Sequence, residues 1–452
     1  MKSKLKSDSE LKNDANQFFD LARKSVIIDS GQKIPDLMQG GFRLLNGMMF
    51  AGSKQILEAQ HSLVSRCTKL LGPKMGHEKE IENVAWECVC RSLDGDEKTS
   101  DLVQIAACFI DKLVEHIQTR FGYVMPNYAI HFVGGVTKIQ IGPVEAMLAT
   151  ELLPEIESDS ANKKWAIEAG SVFQFRIVDG VICFELPPVV WRVSTQAARG
   201  HLDEEAKWLV NIAISLLRLS YPTDKCHGLF PGIGENESLP IYLQPIIRQG
   251  IALPEYGGMP GCETRARKLY EVNEDVISAV TTKSFKDKVD AIFFPAERSL
   301  GARFCQGLGW MSRGRQTSDR AEKFLFFFTA IEALLSSDDK SAPIVQTVSR
   351  YVAVILQDEA RQRFELANKI KSLYALRSTL VHTGKRNVST YDVSTVQLVA
   401  EAIYYVVMDR MELKTSFEKF HSTLAEASYG IPWNSDTGSA SVGRMSVALS
   451  AE

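Results

Sequence analysis

The sequence predicts an α+β amino-terminal half followed by an all-helical carboxyl-terminal half. The chain has 452 residues, a length that fits two or three domains better than one. Between residues 128 and 193, apolar and polar side chains alternate among β-branched residues and glycines, a pattern typical of strands. From about 270 to 424, apolar residues recur at helical spacing instead. Hydrophobic residues make up 45% of the chain and charged residues 24%, as in globular proteins with a packed core.

The amino-terminal region, residues 1–265, is predicted to begin with helices that extend to about residue 121. The clearest of them is 100–122, where apolar residues recur at i, i+3, i+4 and i+7. Ser100 is an N-cap candidate and Gly122 stands just past the end. These signals predict that the region begins with helix rather than strand.

Strands are predicted to follow over about 128–193. In the segment VFQFRIVDGVICFELPPVVWRV, two short strands flank Asp179-Gly180, a dipeptide that suits a hairpin turn. A further helix is predicted over 203–221, and the Gly- and Pro-rich residues 222–265 are predicted to be loops. We interpret this α+β region as an accessory or sensor part of the protein.

Residues 266–425 are predicted to form a separate, purely helical domain. Five segments carry the helical pattern: 286–311, 319–336, 342–357, 361–382 and 391–421. The remaining residues, 426–452, are rich in Gly and Ser and are predicted to be a disordered tail.

Composition limits the kind of protein this can be. The net charge is −3 and the pI about 6.3, so any surface that binds nucleic acid must be a local basic patch. Eight cysteines are scattered among apolar runs, a pattern typical of reduced thiols and not of a disulfide framework. The polar start, MKSKLKSDSELKNDANQ, lacks the apolar core of a secretory signal. These features predict a cytoplasmic protein.

The most apolar segment, FLFFFTAIEALL (324–335), does not predict a membrane span. It has 12 residues and contains Glu332, whereas a bilayer requires roughly 20 apolar residues. A buried helix is expected there. A lone carboxylate in such a segment is costly, so Glu332 is expected to pair with a basic residue or to join a polar cluster.

The stretch LYALRSTLVHTG (373–384) carries the most suggestive chemistry. Arg377 and His382 lie five residues apart near a helix end that Gly384 permits. Five steps of about 100° place the two side chains roughly 140° apart on an ideal helix. They are therefore not neighbours on one face, and we expect either a distorted helix end or a site completed by a second chain.

These two side chains suit transphosphorylation of RNA. Histidine takes and gives protons near neutral pH, and arginine binds phosphate oxygens. The nucleophile is the ribose 2′-hydroxyl of the substrate itself, so neither a metal nor a cofactor is predicted. Between residues 361 and 386 there are seven Lys and Arg against one acid, a local charge of about +6 that could follow a phosphate backbone. A solvated helix face is the plain alternative for these charges.

Three consecutive segments resemble the Apea-like HEPN domains. They are RAEKFLFFFTAIEALLSS (320–337), VSRYVAVIL (348–356) and IKSLYALRSTLVHTG (370–384). The R-x4-6-H motif of that superfamily corresponds to Arg377 and His382, and its acidic A-x-E-A-L helix corresponds to Glu332. The resemblance covers roughly 270–425, about a third of the chain.

The resemblance implies a helical bundle that dimerises and brings two copies of the motif into one cleft. It implies a metal-independent endoribonuclease that leaves 2′,3′-cyclic phosphate and 5′-hydroxyl ends on RNA such as tRNA or mRNA. It also implies a role in bacterial antiphage defence, abortive infection or a toxin system, with a phage-derived trigger or an antitoxin as a partner. Where active members often have Asn or another strongly polar residue after the Arg, this chain has Ser378. Supporting or RNA-binding roles are expected for a set of polar residues around the motif: Ser378, Tyr374, Glu332, Lys371, Lys385 and Arg386.

Two other interpretations stay open at this point. The helical domain could be a non-catalytic HEPN module that binds RNA or a nucleotide or acts as a scaffold. Alternatively, it could serve only for dimerisation, with the chemistry in residues 1–265. The GIGENE segment (232–237) lacks the spacing of a nucleotide-binding loop, and the Cys88-x-Cys90 pair has no partner at zinc-site spacing.

Overall fold

The structure of the chain is a computed structural model. It describes residues 2–27, 42–45, 48–94, 101–118, 121–127, 129–158, 165–169, 174–178, 181–221, 270–317, 319–336 and 343–431. The predicted loops over 222–265, with the domain boundary near 265, lie outside these ranges, as do residues 432–452 of the predicted tail. The start predicted for that tail, residue 426, is corrected, because the last helix continues to Ser428 and buries Ala427.

The predicted fold class is confirmed in outline. Within the described residues, eleven strands lie between Val26 and Thr195, interspersed with helices. One short strand follows at Tyr270–Val272, and from Glu274 to Ser428 all the described regular elements are helices. The chain is therefore mixed in its first half and helical in its second half.

The chain divides into two compact units, the first of which comprises Met1–Tyr123 and Ser194–Lys207. Its helices are α1 (Lys2–Ser7), α2 (Ser9–Lys24), α3 (Lys54–Leu71), α4 (Glu78–Leu93) and α5 (Leu102–Gln118). Its strands β1 (Val26–Ile27), β2 (Phe42–Leu45) and β3 (Met48–Ala51) pair antiparallel in the order β1-β3-β2. Phe18 packs edge-to-face on Trp86 and Phe19 on Phe109, so α2, α4 and α5 share one core.

One predicted helix is shorter than expected. The helix was predicted to continue until just before Gly122, but α5 ends at Gln118 and strand β4 (Phe121–Pro126) contains Gly122. Gly122 is therefore not the residue that ends this helix. Tyr123 and the other β-prone residues around it favour pairing in a sheet over helix continuation. The N-cap candidate Ser100 lies outside the described residues.

The second unit comprises Val124–Val193 and the residues from Trp208 onward. In chain order its next elements are β5 (Ile130–Phe132), β6 (Lys138–Ile141), β7 (Val144–Leu148), α6 (Ala149–Ser158), β8 (Trp165–Ala169), β9 (Gln174–Val178), β10 (Val181–Leu186), β11 (Val189–Thr195), α7 (Leu202–Ser220) and β12 (Tyr270–Val272). The strand orders are β4-β11-β7-β6, β8-β10-β9 and β12-β5.

The predicted hairpin is confirmed. Strands β9 and β10 pair antiparallel with Val178 opposite Val181. The predicted turn residues Asp179 and Gly180 lie outside the described ranges. Strand β8 joins the other edge of β10 in parallel. The helix predicted over 203–221 is also confirmed, as α7.

The helical half contains more helices than the sequence predicted. They are α8 (Glu274–Val280), α9 (Lys283–Phe293), α10 (Leu300–Gln316), α11 (Arg320–Leu335), α12 (Ile344–Leu356), α13 (Ala360–Thr383), α14 (Thr390–Arg410) and α15 (Phe417–Ser428). The single helices predicted over 286–311 and 391–421 are wrong, because each is two helices. The breaks fall at 294–299 and 411–416.

Both breaks have a common physical cause. The two connecting segments pair with each other, as Leu300 N–H donates to Thr415 O at 2.8 Å and Phe417 N–H to Arg298 O at 2.9 Å. Each following helix is then restarted by a serine N-cap, Ser299 for α10 and Ser416 for α15. Such long-range backbone bonds leave no periodic signal in the sequence.

The apolar segment 324–335 is buried, as predicted. It forms most of α11, and Phe324, Phe327 and Phe328 are fully enclosed. Within the described part of the chain, no helix combines the length and the apolar character that crossing a bilayer requires. This helix is therefore the centre of a protein core.

A close approach between α10 and α14 yields a stability prediction. A Cβ added to Gly307 would overlap the hydroxyl of Tyr404, which is buried and donates to Ala330 O at 2.8 Å. Gly307→Ala is therefore expected to lower the free energy of unfolding by about 1–3 kcal/mol. Chemical denaturation measures this change. Gly122→Ala, whose added Cβ would have no atom within 4 Å, is the control, and an equal loss in both variants would contradict the prediction.

Candidate functional site

Helix α13 carries the motif and ends where the sequence predicted. Its 24 residues run from Ala360 to Thr383. Gly384 follows with φ 68° and ψ 7°, the left-handed conformation that glycine adopts without strain, and its N–H donates to Leu380 O at 3.1 Å. The predicted helix 361–382 is thus confirmed, and His382 lies in its last turn.

Arg377 lies on the side of α13 that packs into the protein. The helix buries Ile370, Leu373 and Leu380, and the side chain of Arg377 is 27% exposed beside them. Its Nη2 contacts Glu332 Oε2 on α11 at 3.1 Å, forming a partly buried ion pair. The expectation that Glu332 needs a basic partner is confirmed, and that partner is Arg377.

Tyr374 completes this group. Its hydroxyl donates to Glu332 Oε1 at 2.8 Å, so the two carboxylate oxygens serve two different side chains. The Tyr374 ring packs edge-to-face against Phe328, and the guanidinium of Arg377 lies 5.7 Å from the centre of the same ring. Glu332, Tyr374 and Arg377 therefore hold one another in fixed positions, and we call them the Arg377 triad.

His382 lies on the opposite, solvent-facing side of the helix. Its side chain is exposed, and no hydrogen bond or ion pair joins it to another described residue. Lys371, eleven residues earlier, lies about 20° from it around the helix and is exposed too. Helix α13 continues without a break through this region, so within one chain the structure does not bring His382 and Arg377 together.

The other predicted site residues lie around the end of α13. Ser378, next to Arg377, is half-buried, and its hydroxyl makes no hydrogen bond to any described residue. Lys385 is exposed, with its N–H 3.3 Å from Thr383 Oγ1. Arg386 forms an ion pair with Asp319 at the start of α11, so part of its charge is neutralised. Lys371, Lys385 and His382 remain open to solvent.

The sequence did not predict one further contact beside this region. Lys369 Nζ lies 4.8 Å from the ring centre of Tyr391, which is 58% exposed at the start of α14. One face of this ring is covered by a cation and the ring is otherwise largely open, as in aromatic platforms that stack nucleic-acid bases. An aromatic residue two positions after the N-cap Ser389 is the only sequence signal for it.

Residues 381–387, at and after the end of α13, are exposed on the surface. A groove of about 650 Å³ lies elsewhere in the second unit, lined by Lys283, Lys288, Met411 and Lys414, among others. It faces the carboxyl end of α14, which is about 30 Å from the amino end of that helix.

The contacts of the Arg377 triad predict how the pKa of Tyr374 responds to a substitution at Glu332. The pKa of its phenol is raised to about 12, first by burial and then by its hydrogen bond to Glu332 and that residue's negative charge. Glu332→Gln removes the charge, so the pKa of Tyr374 should fall while burial keeps it above the ordinary value of 10. Difference titration of phenolate absorbance measures this, with Tyr374→Phe to assign the signal. An unchanged titration in Glu332→Gln would mean that the carboxylate does not act on this phenol.

Comparisons with known proteins do not assign this chain to a family. No protein-family model matches the sequence, and neither a search of curated proteins nor a search of solved structures finds a match.

Proposed function

We propose that the protein is a metal-independent endoribonuclease of the HEPN type. The observation that supports this most is the contrast at the end of α13 between a fixed arginine and a free histidine. Glu332 and Tyr374 hold Arg377 in place, and His382 stands exposed and without a protein partner among the described residues. An arginine that binds phosphate must be held in place, and a histidine that transfers protons must be free to reach the substrate.

Arg377 retains the capacity to bind phosphate while it is paired. The ion pair uses one nitrogen, Nη2, and the guanidinium has further N–H groups with no partner in the described ranges. Glu332 fixes the plane of the guanidinium, which preorganises those donors for phosphate oxygens. A fixed cation stabilises the charge of a phosphorane better than a mobile one does.

The proposed reaction uses the substrate's own nucleophile. His382 accepts the proton of the ribose 2′-hydroxyl, the 2′-oxygen attacks the adjacent phosphorus, and the bond to the 5′-oxygen breaks. The leaving oxygen takes a proton from a second acid, which can be His382 of another copy. The products are a 2′,3′-cyclic phosphate and a 5′-hydroxyl. No electron transfer and no metal enter this scheme.

We propose that two chains complete the site. His382 and Arg377 diverge by roughly 140° on one helix, so a single copy cannot place both on one phosphate. Two helices related by a two-fold axis can bring the histidine of one copy to the arginine of the other. In this scheme the first half of the chain restrains or triggers the nuclease, in keeping with a role in bacterial antiphage defence or in a toxin system.

One observation favours a second candidate, a non-catalytic RNA-binding module. Arg377 is about three-quarters buried in an ion pair, whereas the exposed cations Lys371 and Lys385 and the Tyr391 platform remain available to a ligand. A surface of this kind can hold single-stranded RNA by charge and stacking without cutting it.

A cleavage assay in EDTA separates the two candidates. End-labelled RNA is incubated with the full chain, and the product ends are identified by their response to phosphatase and to polynucleotide kinase. Cyclic-phosphate and 5′-hydroxyl ends support the nuclease. Retention of intact RNA in a salt-dependent complex, with no cleavage in EDTA or with added Mg²⁺, would contradict the nuclease and support the binding module.

A further inference from the structure

The groove between α9 and the end of α14 has the size of a small-molecule site. Its volume is about 650 Å³, within the range of roughly 300–1,000 Å³ that ligand pockets occupy. Its other wall is the carboxyl end of α14 with the segment that follows, residues 408–414. The α9 wall is one face of that helix, with lining residues at helical spacing: Lys283, Ser284, Asp287, Lys288 and Ala291.

The buried residues that line the groove are apolar. They are Ala291, Met408 and Leu413, and Met411 is half-buried beside them. Methionine side chains are flexible and polarizable, so they adapt to ligands of irregular shape. An apolar ligand body that covers these four side chains removes hydrophobic surface from water.

Most of the charges around the groove are balanced or lie in water. Lys283 Nζ donates to Asp287 Oδ2 at 2.7 Å, and the pKa of Asp287 is lowered chiefly by this hydrogen bond and least by the charge of Lys414. Asp409 and Glu412 are exposed, so water screens their charges. Four basic and three acidic residues line the groove, a net charge of +1: Lys283, Lys288, Arg410 and Lys414 against Asp287, Asp409 and Glu412.

Lys288 is the half-buried lysine of this groove. It forms neither a hydrogen bond nor an ion pair with any described residue, whereas Lys283 and Lys414 are exposed. Burial lowers the pKa of the Lys288 amine, although the negative charge of Asp409 opposes the shift. An ammonium group that has lost part of its hydration is stabilised by an anion placed against it.

We propose that this groove binds a small organic carboxylate, with Lys288 holding the carboxylate group and the apolar lining covering the rest of the ligand. One unpaired lysine and a lining charge of +1 suit a ligand with a single negative charge. The binding is reversible, so no covalent bond forms or breaks. The proposal does not depend on the RNA chemistry proposed for the end of α13.

Displacement of a fluorescent anion from the full chain tests this proposal. The probe is anilinonaphthalene sulfonate, which carries one negative charge on an apolar aromatic body. We expect saturable binding at neutral pH that octanoate displaces. From acetate to octanoate, each added CH₂ group should tighten binding by about two- to fourfold, because it covers more of the apolar lining.

Octyl phosphate tests the charge of the ligand. It has the same alkyl chain as octanoate but carries nearly two negative charges at neutral pH, which one lysine does not balance. It should therefore displace the probe less well than octanoate does. Tighter binding of octyl phosphate would show that the assignment to a carboxylate is wrong.

The role of Lys288 is tested by substitution. Lys288→Gln should weaken octanoate binding by about tenfold or more, the usual effect of losing a hydrogen bond to a charged group. Lys288→Arg keeps the charge and should retain most of the affinity, which separates a role in binding from a role in packing. Thermal unfolding of each variant verifies the fold.

The matched control is Lys286→Gln. Lys286 is exposed on the same helix, lies about 160° from Lys288 around the axis, and does not line the groove. Its variant should bind octanoate as the unchanged chain does. The proposal is overturned if the unchanged chain shows no saturable binding, or if Lys288→Gln binds as tightly as Lys286→Gln.

Discussion

His382→Ala is expected to reduce the rate of RNA cleavage by about 10²–10⁴-fold, the usual contribution of a general base or acid. The fold should be unaffected, because the imidazole is exposed and bonds to no described residue, and such surface substitutions change stability by about 0.5 kcal/mol or less. Single-turnover cleavage of labelled RNA at saturating protein measures the chemical step. Thermal unfolding of the same preparation verifies the fold.

The matched control for this variant is Asn368→Ala. Asn368 is exposed on the same helix and, fourteen residues earlier, lies about 40° from His382 around the axis. It has no role in the proposed chemistry, so its variant should cleave at the wild-type rate. If His382→Ala cleaves as fast as Asn368→Ala, His382 is not the proton-transfer residue and the proposed nuclease site is wrong.

The sequence predicted those parts of the site that depend on a single element. Glycine at 384 marked the end of α13 because few other residues accept φ 68° without strain. The spacing of Arg377 and His382 predicted their divergence, because α13 is a regular helix. The place of Glu332 in an apolar segment predicted a basic partner, because an unpaired carboxylate in a phenylalanine-rich helix is too costly.

The contacts and helix breaks that the sequence did not predict depend on how distant segments pack together in three dimensions. The contacts between Arg386 and Asp319 and between Lys369 and Tyr391 are set by the path of the six residues between α13 and α14. Pairing of the segments at 294–299 and 411–416 divided two predicted helices for the same reason. Propensity and periodicity describe one segment at a time and contain no information about such pairings.

A buried ion pair in the core of the helical half leads to the second large prediction. Arg315 on α10 and Glu401 on α14 are 3% and 1% exposed, and Arg315 Nη2 donates to Glu401 Oε1. Gln397 Nε2 donates to the same oxygen at 3.1 Å, while Glu401 Oε2 has no partner among the described residues. Burial raises the pKa of Glu401 even though Arg315, and less strongly Arg218, oppose the shift.

The raised pKa fixes the sign of a pH dependence. A carboxyl whose pKa is higher in the folded chain than in the unfolded chain binds more protons when folded. Its contribution to stability is therefore complete below the ordinary value of 4.5 and is lost as the pH rises through the folded pKa. Denaturation at several pH values above 4.5 should show this fall, and Glu401→Leu should not show it.

Arg315→Met is expected to lower the free energy of unfolding by about 3–5 kcal/mol, because it leaves the Glu401 carboxylate buried without its main counter-charge. The double variant Arg315→Met, Glu401→Leu should recover most of that loss, since two apolar side chains of similar size need no solvation. Urea denaturation at neutral pH measures all three proteins. Recovery in the double variant would show that the cost lies in the isolated charge and not in lost packing. If both variants are equally unstable, Arg315 acts mainly by filling space between α10 and α14, and the electrostatic account of this core is wrong.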